Sequence, residues 1–415
     1  MPKLHICCKL FSMTYQKLEM PKAGDKVVVG LSGGVDSTMT AILLKEKGCD
    51  VTCVTMSLWK GDLKVPEGTE KIKDSCYSPA EEYEIEECRK FCAEQNLPYY
   101  VIDVKQAYQK QVLDYFKAEY RAGRTPNPCI RCNQFIKFGA LLAGVQQMGI
   151  EYDYFCTGHY ATAVRPTDCI ASLYGKEGEA ADGAGAKPVQ IAVATDITKD
   201  QAYFLYRIPS SVLEKVRFPL CGFSKKEVVQ MAKDRNLRAA QKEESQDFIG
   251  GEYLEQIFAD KKSVPGDIID LDGKVLGRHR GIEHYTIGQR RGLGVSAPEP
   301  LYVAEIDQKK NLVVLGKDKD LFCTGLLCND MVWPAGYNPN CEFEAMVKIR
   351  LASKPVKALC QPYTMPDGTV SKDTYQVVFE QPQRAVAPGQ SVVFYIDGIT
   401  CGGGIITQPI KAENA

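Results

Sequence analysis

Residues 26–37, KVVVGLSGGVDS, constrain the fold more than any other stretch of the chain. KVVVGL (26–31) is an apolar, β-branched run of strand length. A Ser-Gly-Gly turn then leads into a helical pattern in which Val35, Met39, Ile42 and Leu43 share one face and Gly48 marks the end. A strand that feeds a helix through such a turn offers converging backbone N–H groups and the positive end of a helix dipole, which together attract an anion. Glycine is needed there because a Cβ would keep phosphate oxygens off the backbone. For a lone Ser-Gly-Gly, a simple connecting turn would be the better reading. Eight residues in order, GLSGGVDS (30–37), behind a buried strand favour the anion site. No Gly-Lys-Ser/Thr follows, so the loop is not a Walker A motif.

The strand–helix alternation continues. VTCVTMSLW (51–59) and PYYVIDV (98–104) read as strands on either side of an acidic helix over about 79–95. A helix over about 105–121, another to about 148, and a strand in YDYFCTGHY (152–160) follow. This alternation predicts a doubly wound parallel α/β sheet. Residues 171–187, rich in Gly and Ala, predict a surface loop. From about 299 the runs become short, alternating and β-branched (PLYVAEID, NLVVLG, CEFEAMVKIRLAS, TYQVVFE, SVVFYID), predicting a C-terminal all-β barrel. The expected organisation is an N-terminal extension without function (1–24, with Met13 or Met20 as initiator), an α/β catalytic domain (25–240), a small central domain (241–298) and the barrel (299–408).

A net charge of −1 over 415 residues gives no global attraction to nucleic acid or membrane. Any RNA contact must therefore be local, and GRHRGIEHYTIGQRRGLG (277–294) is the place to expect it. Its Arg278, Arg280, Arg290 and Arg291 would grip phosphates; the competing reading is a solvated face. No apolar run reaches the roughly 18 residues of a membrane helix. Seventeen cysteines without a secretory signal predict a reducing, cytoplasmic setting, with Cys49, Cys53, Cys156 and Cys221 as buried thiols. Cys129 and Cys132, in RAGRTPNPCIRCNQFIKFG (121–139), stand apart. Such a pair serves as a redox couple, as half a zinc site, as iron ligands or as plain core thiols. Zinc needs two more ligands; there is no second Cys-x-x-Cys, and Cys156 and His159 are the next candidates.

GLSGGVDS resembles the pyrophosphate (PP) loop of the ATP pyrophosphatases, which adenylate a carbonyl oxygen and release pyrophosphate. The resemblance places Ser32, Gly33, Gly34, Asp36 and Ser37 around the phosphates, with Gly30, Leu31 and Val35 completing the loop and Asp36 placed to help hold Mg²⁺. Further strings narrow it. AGRTPNPCIRCNQFIKF (122–138), TGHY (157–160), KDQAYFLY (199–206), HYTIGQRRGLG (284–294), APGQSVVFY (387–395) and GGGII (402–406) together resemble the bacterial and mitochondrial tRNA-specific 2-thiouridylases. The resemblance runs in order from about 26 to 407. It implies that ATP and Mg²⁺ adenylate the C2 carbonyl of wobble uridine 34 in tRNA, the base being everted to reach the site. Sulfur then displaces AMP. The sulfur would come from a cysteine desulfurase, a sulfur-relay protein or free sulfide. Residue by residue, it makes Cys132 the nucleophile, its thiol activated by a helix start. It puts Met56 and Gly158 at the nucleotide and Asn127, Pro128 and Cys129 at the target base. His159, Lys199, Asp200, Gln201, Arg350 and Gln390 would face tRNA, local hydrogen bonding being the competing role of each.

The chain departs from that family at two points. The commoner pattern is Asp-x-x-Cys where this chain has Cys129-x-x-Cys132, and the family carries a second cysteine downstream in a Ser-x-x-Ile-Cys-Phe-Ile context. Here that stretch reads EESQDFIGGEY (243–253), without cysteine, and Asp247 is the nearest polar candidate. Two arrangements stay open. Either Cys129 and Cys132 form the working pair, or Cys129, Cys132 and Asp247 hold a [4Fe–4S] cluster, the preferred alternative, although carboxylate is an unusual ligand there. Competing functions are an ATP pyrophosphatase acting on a small molecule, for which glutaminase elements are missing, and a non-catalytic tRNA-binding paralogue, which the intact loop and Cys132 oppose.

Overall fold

The computed structural model describes residues 15–64, 75–166, 188–242, 248–334, 336 and 338–411. Five parallel strands form the first sheet in the order Tyr99–Asp103, Asp50–Ser57, Lys26–Gly30, Tyr154–Thr157, Val216–Arg217. Lys26–Gly30 is central and covered on both faces, which is why Val27, Val28 and Val29 run consecutively without alternation. Val27 and Val29 pack with Ala41, Leu44, Cys88 and Cys92, from the helices Val35–Glu46 and Glu81–Glu94. Val28 packs on the opposite face with Phe138, Leu141 and Val145. Consecutive connections thus leave Lys26–Gly30 and Tyr154–Thr157 in opposite directions. The crevice between their carboxyl ends is where an open α/β sheet binds its ligand.

The two helices expected after residue 104 are present, but each is interrupted by a π-helical stretch, Gln109–Leu113 and Cys132–Ala140. Neither interruption has a signature in the apolar spacing. Such widened turns recur at functional sites.

A four-stranded sheet follows, ordered Val275–His279, Gly266–Asp270, Leu312–Gly316, Tyr302–Asp307. The strands at 302–316, grouped with the barrel from their alternation, pair here with the central segment instead. Leu312–Gly316 runs parallel to Gly266–Asp270, and Val313 and Leu315 share a small core with Ile268, Ile282, Tyr285 and Leu293. Alternation identifies a strand without saying which sheet it joins.

Six antiparallel strands close the C-terminal barrel: Phe322–Val332, Val370–Arg384, Val356–Thr364, Phe343–Lys348, Ser391–Ile396 and Ile399–Lys411, the last pairing back onto the first. Ile399 also pairs with Ala192, extending the sheet through Gln190–Ala192 and Thr162–Pro166 to Tyr15–Lys17. Part of the expected extension is therefore built into the fold. Leu18 N–H donates to Ala163 O at 3.0 Å and Arg217 Nε to Glu19 O at 2.7 Å. Residues 1–14 and the loop expected at 171–187 lie outside the described residues. Cys49, Cys53, Cys156 and Cys221 are buried free thiols. Among the described residues no helix is long and apolar enough to cross a membrane.

Candidate functional site

The glycine-rich loop forms as its sequence requires. Leu31 N–H is still bonded to Val54 O at 2.8 Å, and Gly33 then takes the left-handed conformation, φ +74°. Gly34 is extended at the N-cap of the helix. Ser37 Oγ ties the loop shut, lying 3.1 Å from both Ser32 N and Ser32 Oγ and donating to Gly34 O. Gly158, on the loop after Tyr154–Thr157, approaches so closely that a Cβ would stand 2.7 Å from Asp36 C and 2.8 Å from Ser37 N. Gly30 to Ser37 and Gly158 are thus one packed unit at the crevice. Met56, half-buried, is the next-to-last residue of the neighbouring strand Asp50–Ser57. The turn after it is fixed by Glu81, which accepts from Ser57 Oγ, Leu58 N and Trp59 N at 2.8, 2.6 and 2.9 Å.

Asp36 is not free to act alone. Lys225 Nζ lies 2.8 and 2.7 Å from its two oxygens, and Tyr160 OH donates to it at 2.9 Å. A second lysine, Lys242, pairs with Glu84 at 2.8 Å beside Gly33 and borders a cavity of about 360 Å³ that Leu31, Thr38 and Arg238 also line. Sequence reasoning missed Lys225, Lys242, Tyr160 and Glu84. They come to the loop through tertiary packing, and no spacing announces them.

The thiol segment begins at Asn127, whose Oδ1 accepts from Ile130 N at 3.2 Å, with Pro128 at the first helical position. Arg131 lies between the Tyr115 and Phe135 rings, 4.4 and 4.5 Å from their centroids. Cys129 and Cys132 are half-buried. The expected activation of Cys132 by a helix start is not what the structure shows. Packing against the main core removes water from the thiol and pushes its pKa up to about 12, with Lys137 opposing the rise only in part. Cys132 is the fifth residue after the cap, past the first turn where the dipole acts. Iodoacetamide labelling of Cys132, read by peptide mass spectrometry, is therefore expected to be slow at pH 7. It should accelerate about tenfold per pH unit up to about pH 12. A plateau near pH 8 would contradict this environment.

His159 joins the two halves of the site. Its Nδ1 is 2.8 Å from Thr157 Oγ1 and its ring packs between Phe138 and Phe218, where burial keeps it neutral. Asp200 is buried; its carboxylate accepts from Ala194 N and Ala202 N at 3.0 and 3.4 Å, and burial raises its pKa. Gln201 Oε1 accepts from Tyr160 N at 2.9 Å. These three side chains face the protein, whereas Lys199 and Arg350 are exposed. So are Arg290 and Arg291, and neither is ion-paired among the described residues. Arg278 and Arg280 are exposed but engage Asp267 and Glu255.

Gln390 reaches across from the barrel, donating to Thr125 O and Pro126 O, both at 3.1 Å. Thr125 N–H returns a bond to Pro388 O at 2.7 Å. Between them Gly389, φ +91°, passes so close that a Cβ would lie 2.9 Å from Thr125 N. The barrel thus holds the Thr125–Asn127 approach to the cysteines. Buried Arg207 makes a second joint, its Nε donating to Gln134 Oε1 at 3.0 Å and its Nη2 to Asp330 Oδ2 at 2.8 Å. Burial opposes its charge, but Tyr206 and Asp330 outweigh burial and raise its pKa. Arg207→Met is expected to cost about 2 kcal/mol in urea unfolding, since charged hydrogen bonds on both sides of the joint are lost together.

Asp247 lies outside the described residues. Next to it Phe248 O accepts from Tyr77 N at 3.2 Å. Among the described residues no three His, Cys, Asp or Glu side chains stand where a metal ion could be held.

Three family models match the chain in succession: a tRNA methyl transferase HUP domain (25–250), a tRNA methyl transferase PRC-barrel domain (251–317) and an aminomethyltransferase beta-barrel domain (323–406). The chain is 42% identical over 383 residues to the tRNA-specific 2-thiouridylase MnmA of Endomicrobium trichonymphae, covering 92% of this chain and 98% of that one. It is 37% identical over 391 residues to the protein of the same name from Roseiflexus castenholzii, covering 92% and 99%. Among solved structures, a 4-thiouridine synthetase–RNA complex with bound ATP aligns at 16% identity and TM-score 0.28, over 56% of this chain and 49% of that one.

Proposed function

The chain belongs to the tRNA-specific 2-thiouridylase family, and we propose that its crevice thiolates the C2 position of the wobble uridine of tRNA. It is an ATP-dependent tRNA sulfurtransferase. The observation that carries the catalytic reading is the contact chain Ser37–Gly158–His159–Phe138, which sets the anion-binding loop against the π-helical stretch Cys132–Ala140.

The phosphates of ATP would lie on the N–H groups of Ser32 to Ser37, with Met56 and Gly158 beside the nucleotide. Mg²⁺, when bound, would neutralise the triphosphate; Asp36 fits that task once Lys225 turns from it to a phosphate oxygen. The uracil C2 oxygen attacks the α-phosphate, and pyrophosphate leaves into a loop already arranged for negative charge. Asn127, Pro128 and Cys129 would border the everted base, held in place by Gln390. A sulfur carried on Cys132 attacks C2, and AMP departs with the former carbonyl oxygen. Lys199, Arg290, Arg291 and Arg350 supply exposed positive charge for the tRNA backbone. His159, Asp200 and Gln201 support these surfaces from within.

A cluster held by Cys129, Cys132 and Asp247 needs Asp247, beyond the described residues. We read the sulfur step through the thiol of Cys132. Anaerobic purification with iron and sulfide analysis tests this directly: a stoichiometric cluster required for activity would overturn it. We place the reaction in the cytoplasm, from the tRNA substrate and the free thiols, with sulfur arriving as a persulfide from a desulfurase or relay protein.

The function is tested by pyrophosphate release from labelled ATP. Release should require tRNA with unmodified uridine 34. Release with a small acceptor and no tRNA would point to a small-molecule synthetase, and tRNA binding without release to a non-catalytic paralogue.

A further inference from the structure

Arg131 stands in the chain between Cys129 and Cys132, on the helical turn Pro128–Arg131 whose first residues would border the base. Its guanidinium carbon lies 4.4 Å from the Tyr115 ring centroid and 4.5 Å from that of Phe135, while Nε reaches Gln111 O only at 3.4 Å. Tyr115 belongs to the helix Asp114–Arg121, and Phe135 follows one turn after Arg131 on the π-helical stretch. Two rings closing on the guanidinium hold it in one orientation and occupy the faces that would stack on a base. What remains for a ligand is the in-plane edge of N–H donors, a fork that fits phosphate or carboxylate oxygens in pairs.

The carboxylates of this neighbourhood are already engaged. Glu119, one turn after Tyr115, accepts from Arg124 at 2.7 and 2.5 Å. Asp330, on the first barrel strand, accepts from Arg207 at 2.8 Å, and Arg207 also bonds Gln134, the neighbour of Phe135. Three arginines thus share two carboxylates, and among the described residues Arg131 has no acidic partner at ion-pair distance. Arg131 is half-buried, and burial opposes its charge and lowers its pKa. Rigid, partly dehydrated and short of a counter-charge, the group is arranged to receive an anion.

We propose that Arg131 binds a phosphodiester of the anticodon loop next to the everted wobble uridine. This rests on the thiouridylase reading. Consecutive Cα atoms are about 3.8 Å apart, and consecutive helical side chains diverge by about 100°. A residue beside Cys132 therefore reaches the backbone that flanks the base, not the carbon that sulfur attacks. The exposed Lys199, Arg290, Arg291 and Arg350 attract the tRNA as a whole, whereas Arg131 fixes the register of one nucleotide against the thiol. Lysine would bring a point charge without the flat fork that two rings can hold.

Fluorescence anisotropy of the whole enzyme with tRNA carrying unmodified uridine 34 tests the contact. Arg131→Met is expected to weaken binding about tenfold near 0.1 M salt, and to make the slope of log affinity against log salt shallower by about 0.7, the single-strand value for one phosphate. Arg131→Lys should restore the slope but not the affinity. A neutral methylphosphonate in place of the phosphate 5′ or 3′ of uridine 34 should weaken wild-type binding at one of these positions, and there should cost Arg131→Met nothing further. Arg89→Met removes another arginine set over a ring, 5.4 Å from the Tyr99 centroid but on the helix Glu81–Glu94, and should match wild type. Unchanged affinity and slope in Arg131→Met, or additive losses from the variant and both methylphosphonates, overturns the proposal. So does an Arg131→Met enzyme that binds tRNA normally but accepts persulfide slowly from a desulfurase, which would assign the arginine to the sulfur-delivering protein. If Arg131→Met does not fold, Arg131→Lys carries the same cycle, and a methylphosphonate cost equal to that in wild type overturns the contact. A wild type that neither binds this tRNA nor releases pyrophosphate overturns the thiouridylase reading instead; a wild type that does both, matched by Arg131→Met, overturns only the role of Arg131.

Discussion

Cys132→Ser is expected to lower 2-thiouridine formation by at least about a thousandfold, the scale on which loss of a covalent nucleophile is felt. A hydroxyl cannot accept a sulfane sulfur, so no persulfide forms and adenylated tRNA has no partner. Pyrophosphate release does not use the thiol and should fall by less than about tenfold. The two half-reactions are therefore separable: thiolated tRNA by retardation on a mercury gel, pyrophosphate by isotope release. The raised pKa of the thiol fits this division. A protonated Cys132 is inert toward stray electrophiles, and it is the incoming persulfide, a better acid than a thiol, that makes the position nucleophilic. Full thiolation by Cys132→Ser would exclude the assignment.

Gly158→Ala should have the opposite signature. Its added methyl would sit 2.7 Å from Asp36 C and 2.8 Å from Ser37 N, against backbone that cannot rotate away. The first turn of the helix Val35–Glu46 must retreat, carrying with it the N–H groups that face the phosphates. A shift of about 1 Å in a positioning element is enough for a loss of roughly a hundredfold. Here it should appear in pyrophosphate release as well as in thiolation. Melting temperature should fall by only a few degrees, because the retreat involves one turn. Normal pyrophosphate release by the Gly158→Ala enzyme would show that this contact does not position the loop.

The contrast between these variants follows what could be read from the chain. KVVVGLSGGVDS was legible because everything it needs is local: a buried strand, two glycines and a helix start. The alternation that produced the parallel sheet is equally local, and Gly158 was reachable through resemblance. Lys225 and Lys242 were not, since each meets the loop only after distant helices have packed. Cys132 shows the limit most sharply. Its place on a helix predicted a lowered pKa, but desolvation by the core decides the sign, and desolvation is a tertiary quantity. The strands at 302–316 carried the right period and were grouped with the wrong sheet, because pairing partners are not encoded in a strand's own alternation. Asp200 and His159 had the residue types of an RNA surface, yet the fold turns both inward.

The clasp between Gln390 and the Thr125–Pro126 carbonyls spans 265 and 264 residues of chain. Its consequence concerns time. A ribosome adding about 5–20 residues per second leaves a lag of very roughly 13–50 s between the emergence of the cysteine segment and the emergence of the turn that holds it. Within that interval the last strand of the α/β sheet, Val216–Arg217, emerges and the phosphate loop gains its packing partners, still well before Gln390. Nascent chains are thus expected to bind nucleotide well before they handle sulfur, so an unfinished enzyme does not expose an armed persulfide.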